Sequence, residues 1–194
     1  MSHAYIFYGK AGSGKGTQAK LLKAYLESLG RKVIYVETGG LFREFTQANT
    51  SFAAKRTREV IDNGQLMPPF FPIYLWADQL IKNFDGTQDI ILDGVARRIE
   101  EAPVIDSAMD FFQIEKTTVF NIHIADATAQ ARLSIRGDRA DDASAEKIQK
   151  RLDWYQTNVM PVVDYFKAHS HFAFSEIDGE PDVDHVFDQV KKAA

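Results

Sequence analysis

The stretch from Gly9 to Thr17 constrains this chain more than any other. Gly9-Lys10-Ala11-Gly12-Ser13-Gly14-Lys15-Gly16-Thr17 follows the apolar run Tyr5–Tyr8. It precedes Ala19, Leu22, Leu26 and Leu29 at helical spacing, with Gly30 as a stop. Strand, glycine-rich turn and helix in that order let backbone N–H groups close around phosphate oxygens. The N-terminal end of the helix dipole adds to them, and Lys15 supplies a full charge for the outer phosphates. A glycine-rich turn with no ligand is the plain alternative. The context favours a bound nucleoside triphosphate.

At 194 residues the chain has room for one domain with a small insertion. Its 45% hydrophobic content suffices for a sizeable core, and 26% charged residues are normal for a soluble protein. A net charge of −4 argues against a general nucleic-acid surface, so phosphate chemistry must come from locally placed basic residues. There is no cysteine, which excludes disulfides and thiolate metal sites and fits a reducing cytoplasm. No apolar run approaches a membrane span, and the N-terminus lacks a signal-peptide pattern.

Continuous apolar runs at Val33–Val36, Ile90–Asp93, Thr118–Ile124 and Phe172–Phe174 join Tyr5–Tyr8 as candidate strands. Runs without alternation indicate strands covered on both faces, as in a parallel sheet between helices. Helices are expected at about 51–63, 72–83, 97–112, 127–136, 145–167 and 182–192. The stretch from Thr38 to Met67 exceeds what one crossover needs and reads as a small helical insertion. A polar turn, Gly137 to Asp142, breaks the alternation again.

Asp93 ends an apolar strand, where a carboxylate faces the crevice at the carboxyl edge of the sheet. Beside a phosphate loop such an aspartate serves Mg²⁺, directly or through water; alone, it would as readily cap the next turn. Arg132 and Arg136 share a helix face, Arg139 follows in the turn, Arg151 lies on the next helix, and Arg43 and Arg97 sit beyond strand ends. Any one of these arginines could be solvated or salt-bridged. Six of them beside Lys15 suit the approach of two phosphorylated substrates.

With these residues in view, the chain resembles the adenylate kinase family of nucleoside monophosphate (NMP) kinases over nearly its whole length. The loop G-x-x-G-x-G-K-G-T is matched by Gly9–Thr17. T-G-D-L-x-R is answered by Thr38-Gly39-Gly40-Leu41-Phe42-Arg43, and G-x-L-V-P by Gly64-Gln65-Leu66-Met67-Pro68. L-D-G-F-P-R corresponds to Leu92-Asp93-Gly94-Val95-Ala96-Arg97. R-L-x-x-R, R-x-D-D and K-R-L-x-x-Y are met by Arg132–Arg136, Arg139–Asp142 and Lys150–Tyr155. The resemblance implies an α/β P-loop three-layer fold with a five-stranded parallel sheet and helices on both faces. Residues 1–194 would form one domain with an NMP-binding insertion at about 38–68 and a minimal lid at about 136–142.

It also implies roles. Gly12, Ser13, Gly14, Lys15, Gly16 and Thr17 would hold the ATP phosphates, with Arg132 against the adenine and Arg136 near the phosphates. Arg139 and Arg151 would clamp the transferring group, and Asp141 and Asp142 would position the lid. Thr38, Gly39, Arg43, Gly64, Leu66, Met67, Gly94 and Arg97 would bind the monophosphate, and Asp93 would organise Mg²⁺ through water. Lys15, Arg97, Arg136, Arg139 and Arg151 would be catalytic; the acceptor phosphate needs no general base. The implied protein is a cytoplasmic monomer whose partners are ATP and a monophosphate, with no nucleic acid and no membrane.

The chain departs from the family pattern at several points. Gly16 replaces the Ser or Thr of a general phosphate loop, as the family does, so a hydroxyl–metal bond there is not expected. Gly40 replaces an aspartate, Val95-Ala96 replaces Phe-Pro, and only Gly137 and Asp138 separate Arg136 from Arg139. Glu101 stands where a glutamine would both donate to and accept from AMP. An ionised glutamate only accepts, which suits the N1–H and 2-amino donors of guanine. Alternatively, Glu100 and Glu101 are the exposed face of a helix. AMP is thus the first expected acceptor, and GMP or a deoxynucleotide the second. A nucleotide-binding sensor without transfer activity and a small-molecule kinase on the same fold are the competing classes. Trp76, Phe70, Phe71, Tyr74, Phe111 and Phe112 read as core, and the histidines, including His169 and His171, as solvated or packing residues.

Overall fold

A computed structural model describes residues 1–136, 144–168 and 171–194, with Arg136 described in its backbone alone. Arg139, Asp141, Asp142 and His169 lie outside the described residues. The chain runs β1 (His3–Tyr8), α1 (Lys15–Ser28), β2 (Val33–Glu37), α2 (Thr38–Ala48), α3 (Phe52–Asp62), α4 (Phe70–Asn83) and β3 (Asp89–Asp93). It continues as a 3₁₀ turn (Ile99–Glu101), α5 (Ala102–Phe111), β4 (Lys116–His123), α6 (Asp126–Arg136) and α7 (Ala145–Trp154). A π-helical segment (Tyr155–Val159), α8 (Met160–Ala168), β5 (Phe172–Asp178) and α9 (Val183–Ala193) complete it.

All five strands pair in parallel, in the order β2-β3-β1-β4-β5. Alternation along β1 divides the core. Ala4, Ile6 and Tyr8 face a cluster with Trp76, Leu80, Ile105, Val162 and Phe166, so α4, α5 and α8 cover that side. Tyr5 and Phe7 face Leu22, Leu26, Val186 and Val190 of α1 and α9. Both faces of the central strands β1, β3 and β4 are therefore dry, which is why these strands read as unbroken apolar runs, whereas the edge strands β2 and β5 are only partly covered. A smaller cluster of Ala11, Ala129, Leu133, Ile148 and Leu152 packs α6 and α7 beneath the phosphate loop.

Several elements differ from the sequence reading. Thr38–Ala48 is a helix despite Gly39 and Gly40, which weaken helix propensity; ring contacts from Phe42 and Phe45 to Phe71 hold it at 5.3 and 5.0 Å. The helix expected at about 97–112 begins only at Ala102, after the 3₁₀ turn. The single helix expected at about 145–167 is interrupted by the π segment. There Tyr155 is drawn inward, its hydroxyl donating to Asn121 Oδ1 at 3.2 Å, while Thr157 and Asn158 side chains bond back to Asp153 and Trp154 carbonyls. Of the aromatics expected in the core, Trp76 is buried, but Phe70, Tyr74 and Phe111 are exposed. Helix α4 turns only one side toward the sheet, and Phe111 sits at the outer end of α5.

Candidate active site

Parallel register brings the carboxyl ends of β1, β2 and β3 level, with Phe7 and Glu37 each opposite Asp93. The loop after β1 turns there into α1. A cavity of about 350 Å³ opens over this edge, lined by Gly12, Gly14, Lys15, Gly16, Thr17, Glu37, Gly39, Asp93, Arg97, Arg132 and Arg151. Lys15, Asp93 and Arg151, expected at the phosphates, the metal and the transferring group, thus border one cavity. Ser13 does not. Its amide donates to Lys10 O at 3.1 Å and its side chain is buried, so it shapes the loop. Lys10 pairs with Asp126 and holds the loop to α6.

Asp93 is buried and accepts from the Tyr35 hydroxyl at 3.0 Å. A Cβ at Gly16 would lie 3.0 Å from Asp93 Oδ2, so a longer side chain at 16 would press on this carboxylate. Glycine at 16 lets the loop pass close to Asp93 without crowding it, and Asp93 offers an anionic oxygen donor there. A buried carboxylate beside a phosphate site fits Mg²⁺, which keeps most of its waters and takes phosphate oxygens as ligands.

Arg97 is held by its Nε–H to Gly94 O at 3.0 Å, and its guanidinium lies 5.7 Å from the Trp154 ring centroid. The close approach needs glycine at 94, where a Cβ would meet Arg97 Nη2 at 2.9 Å. Ala96 adopts φ 45°, a left-handed conformation that proline cannot take. The Val95-Ala96 departure is thus a differently wound turn. Placing proline there, A96P, is expected to destabilise the fold by more than about 1 kcal/mol and to weaken monophosphate use. Urea midpoints and KM values measured together check this.

Arg97 also borders a second cavity of about 70 Å³, with Thr38, Phe42, Leu66, Met67, Gly94 and Glu101. Gly64 stays outside it and serves as the stop of α3. Arg43 donates to Glu37 Oε1 at 2.8 Å. A side chain at Gly40 would reach within 3.7 Å of the Glu37 carboxylate, so Glu37 supplies charge close to where the family's aspartate would stand. Sequence reading missed Glu37; its place at the end of an apolar strand, like that of Asp93, was the available signal. Arg132 donates to Gly179 O and Glu180 O at 3.1 and 3.3 Å.

Glu101 is 2% exposed, which removes the reading of an exposed helical face; Glu100 alone faces solvent. Oε1 accepts from the Arg98 amide at 3.1 Å, whereas Oε2 is buried with no partner. Thr38 Oγ1, at the start of α2, is likewise buried and unpartnered. Burial pushes the Glu101 carboxyl up to about 7, against the opposing charges of Arg97 and Arg98.

Residues 7–171 match the family model described as adenylate kinase. The chain belongs to the adenylate kinase family. It is 30% identical to an adenylate kinase of Flavobacterium johnsoniae, with 86% of each chain covered. It is 29% identical to one of Methanocella arvoryzae over 97% of each chain, and 28% identical to one of Prochlorococcus marinus over 99% of this chain and 98% of the relative. Family membership makes the protein a phosphotransferase, and the sheet carries the α/β P-loop architecture of that family.

Proposed function

We propose that the protein catalyses reversible, Mg²⁺-dependent transfer of the ATP γ-phosphoryl group to a nucleoside monophosphate, AMP first, forming two diphosphates. The observation that carries this reading is the sharing of Arg97 between the two cavities. One cavity holds the phosphate loop, Lys15, Asp93 and Arg151; the other leads to Thr38 and Glu101. A donor triphosphate on the loop and an acceptor with its base toward Glu101 would meet at Arg97.

In this reading Lys15 and the loop amides bind the donor phosphates, Arg132 flanks its base, and Arg97 and Arg151 fix the two phosphates in line. Arg43 exchanges Glu37 for the acceptor phosphate, and Leu66, Met67 and Gly39 line its path. Asp93 would hold Mg²⁺ through water, and the ion would neutralise charge between the outer donor phosphates. Positioning and charge stabilisation then carry the reaction, since the acceptor is already an anion. Arg136 and Arg139 would add to the clamp from the lid at about 136–142. The site is built within one chain, which supports a monomer, and the lack of cysteine fits the cytoplasm. Among the described residues no helix is long and apolar enough to cross a membrane.

A second acceptor has its own support. An unpartnered buried carboxylate oxygen suits the N–H donors of guanine, so GMP is the runner-up. Chromatographic product analysis of ATP with AMP, GMP, CMP, UMP and dTMP tests the reading. ADP formation dependent on AMP is expected to be the fastest. ATP binding without turnover of any monophosphate would instead make the protein a sensor.

A further inference from the structure

Glu101 is held by one oxygen and free at the other. The Arg98 amide takes Oε1, so that oxygen acts as the carbonyl of the group and any proton belongs on Oε2. Oε2 is buried, has no partner, and belongs to a side chain lining the cavity that also receives Thr38 Oγ1. A lone polar atom on a side chain that lines the cavity is placed to meet the edge of what occupies it. We propose that the proton on Glu101 Oε2 selects the acceptor base: the neutral acid donates to a purine ring nitrogen lone pair, as in AMP, and the carboxylate accepts from a ring N–H, as in GMP. This rests on the kinase reading above and deepens it.

The chemistry is an exchange of one donor for one acceptor at fixed geometry. Adenine N1 presents a lone pair; against it Oε2–H makes a hydrogen bond, whereas a carboxylate oxygen places charge against charge. Guanine N1 carries hydrogen, and beside it the 2-amino group offers a second donor. A carboxylate satisfies both, whereas the acid turns its own hydrogen toward the ring N–H. Such a buried mismatch discriminates by about tenfold to a hundredfold.

The surroundings permit the switch within the ordinary range of pH. Arg97 and Arg98, on the same turn, favour the carboxylate, and burial favours the acid, leaving the carboxyl at about 7. Tyr8 of β1 is the titratable group facing it from the sheet. Its hydroxyl is buried and pushed well above the usual range, so it stays neutral. The insertion and α4 face the cavity with uncharged side chains, Thr38, Phe42, Met67 and Pro72 among them.

The test is the ratio of kcat/KM for AMP to that for GMP, read chromatographically with ATP as donor at about pH 6 and about pH 8. Both monophosphates carry the same titrating phosphate, so its effect cancels in the ratio. For the unmodified protein the ratio is expected to fall by about tenfold or more across that interval. In E101Q, whose amide always donates, it is expected to stay level and on the AMP side. A level ratio in the unmodified protein, or an equal fall in E101Q, overturns the inference. Equilibrium dialysis of AMP or GMP alone reads the same ratio without turnover. A pH-dependent binding ratio with no product would sink the kinase reading and keep the base selection; no binding of either monophosphate overturns the inference. The unmodified protein's profile decides the question even where E101Q folds poorly.

Discussion

Replacing Arg151 by alanine is expected to lower kcat by about three orders of magnitude, equivalent to about 4 kcal/mol of transition-state stabilisation. Arg151 is 9% exposed on α7 and borders the phosphate cavity together with Lys15 and Asp93. It also lines a recess of about 30 Å³ with Arg97, Trp154 and Tyr155, so it is packed among these side chains while it borders the cavity. A guanidinium withdrawn from water acts on charge that develops during transfer far more strongly than one in solvent. In the proposed transfer its effect would grow as the moving phosphoryl group spreads charge over its oxygens, so the loss is expected on kcat more than on KM. R151K is expected to recover little, because an ammonium lacks the planar fork that spans two phosphate oxygens. Steady-state kinetics with ATP and AMP, alongside urea midpoints, separate lost chemistry from lost fold. A kcat within about threefold of the unmodified protein, at equal stability, would remove Arg151 from the transfer machinery.

What was legible in the sequence is what local chemistry alone determines. The phosphate loop, the strand-end placement of Asp93 and the approach of Arg97 follow from strand–turn–helix order, and the structure puts all three on one cavity. Residues whose role depends on long-range packing were not legible. Glu100 and Glu101 are neighbours of one type, yet one faces solvent and the other is sealed: successive residues of a helical turn point in different directions, and only the packing of that turn decides which is covered. The left-handed Ala96 is hidden for the same reason: a residue type does not announce a positive φ unless it is glycine or asparagine. The insertion from Thr38 to Met67 read as helical, but the bounds of α2 were not legible, because its glycines oppose a helix and contacts such as those with Phe71 support it. The ion pair of Glu37 with Arg43 could have been anticipated from strand-end position, but Gly40 drew attention to a missing charge rather than to its neighbour.

Substituting Glu101 by glutamine is expected to stabilise the free protein at neutral and alkaline pH, the reverse of what removing a charge beside two arginines suggests. The sign follows from where the proton sits. Burial pushes the carboxyl of the folded protein up to about 7, whereas its ordinary value, kept in the unfolded chain, is 4.5. Between these values the native state binds a proton that the unfolded state has released, so unfolding stability falls as pH rises through that window. Above it the deficit is constant and amounts to about 3 kcal/mol. Glutamine keeps the carbonyl that accepts from the Arg98 amide and carries no ionisation, so the variant escapes that fall. Chemical denaturation of both proteins without nucleotide, at about pH 5 and about pH 8, reads the difference directly. The gap should be small at the lower pH and widen toward about 3 kcal/mol at the higher; every other carboxyl group titrates alike in both proteins and drops out. A gap independent of pH would mean that Glu101 is already ionised throughout the interval. The cavity would then be written for a base that donates, and GMP would replace AMP as the preferred acceptor.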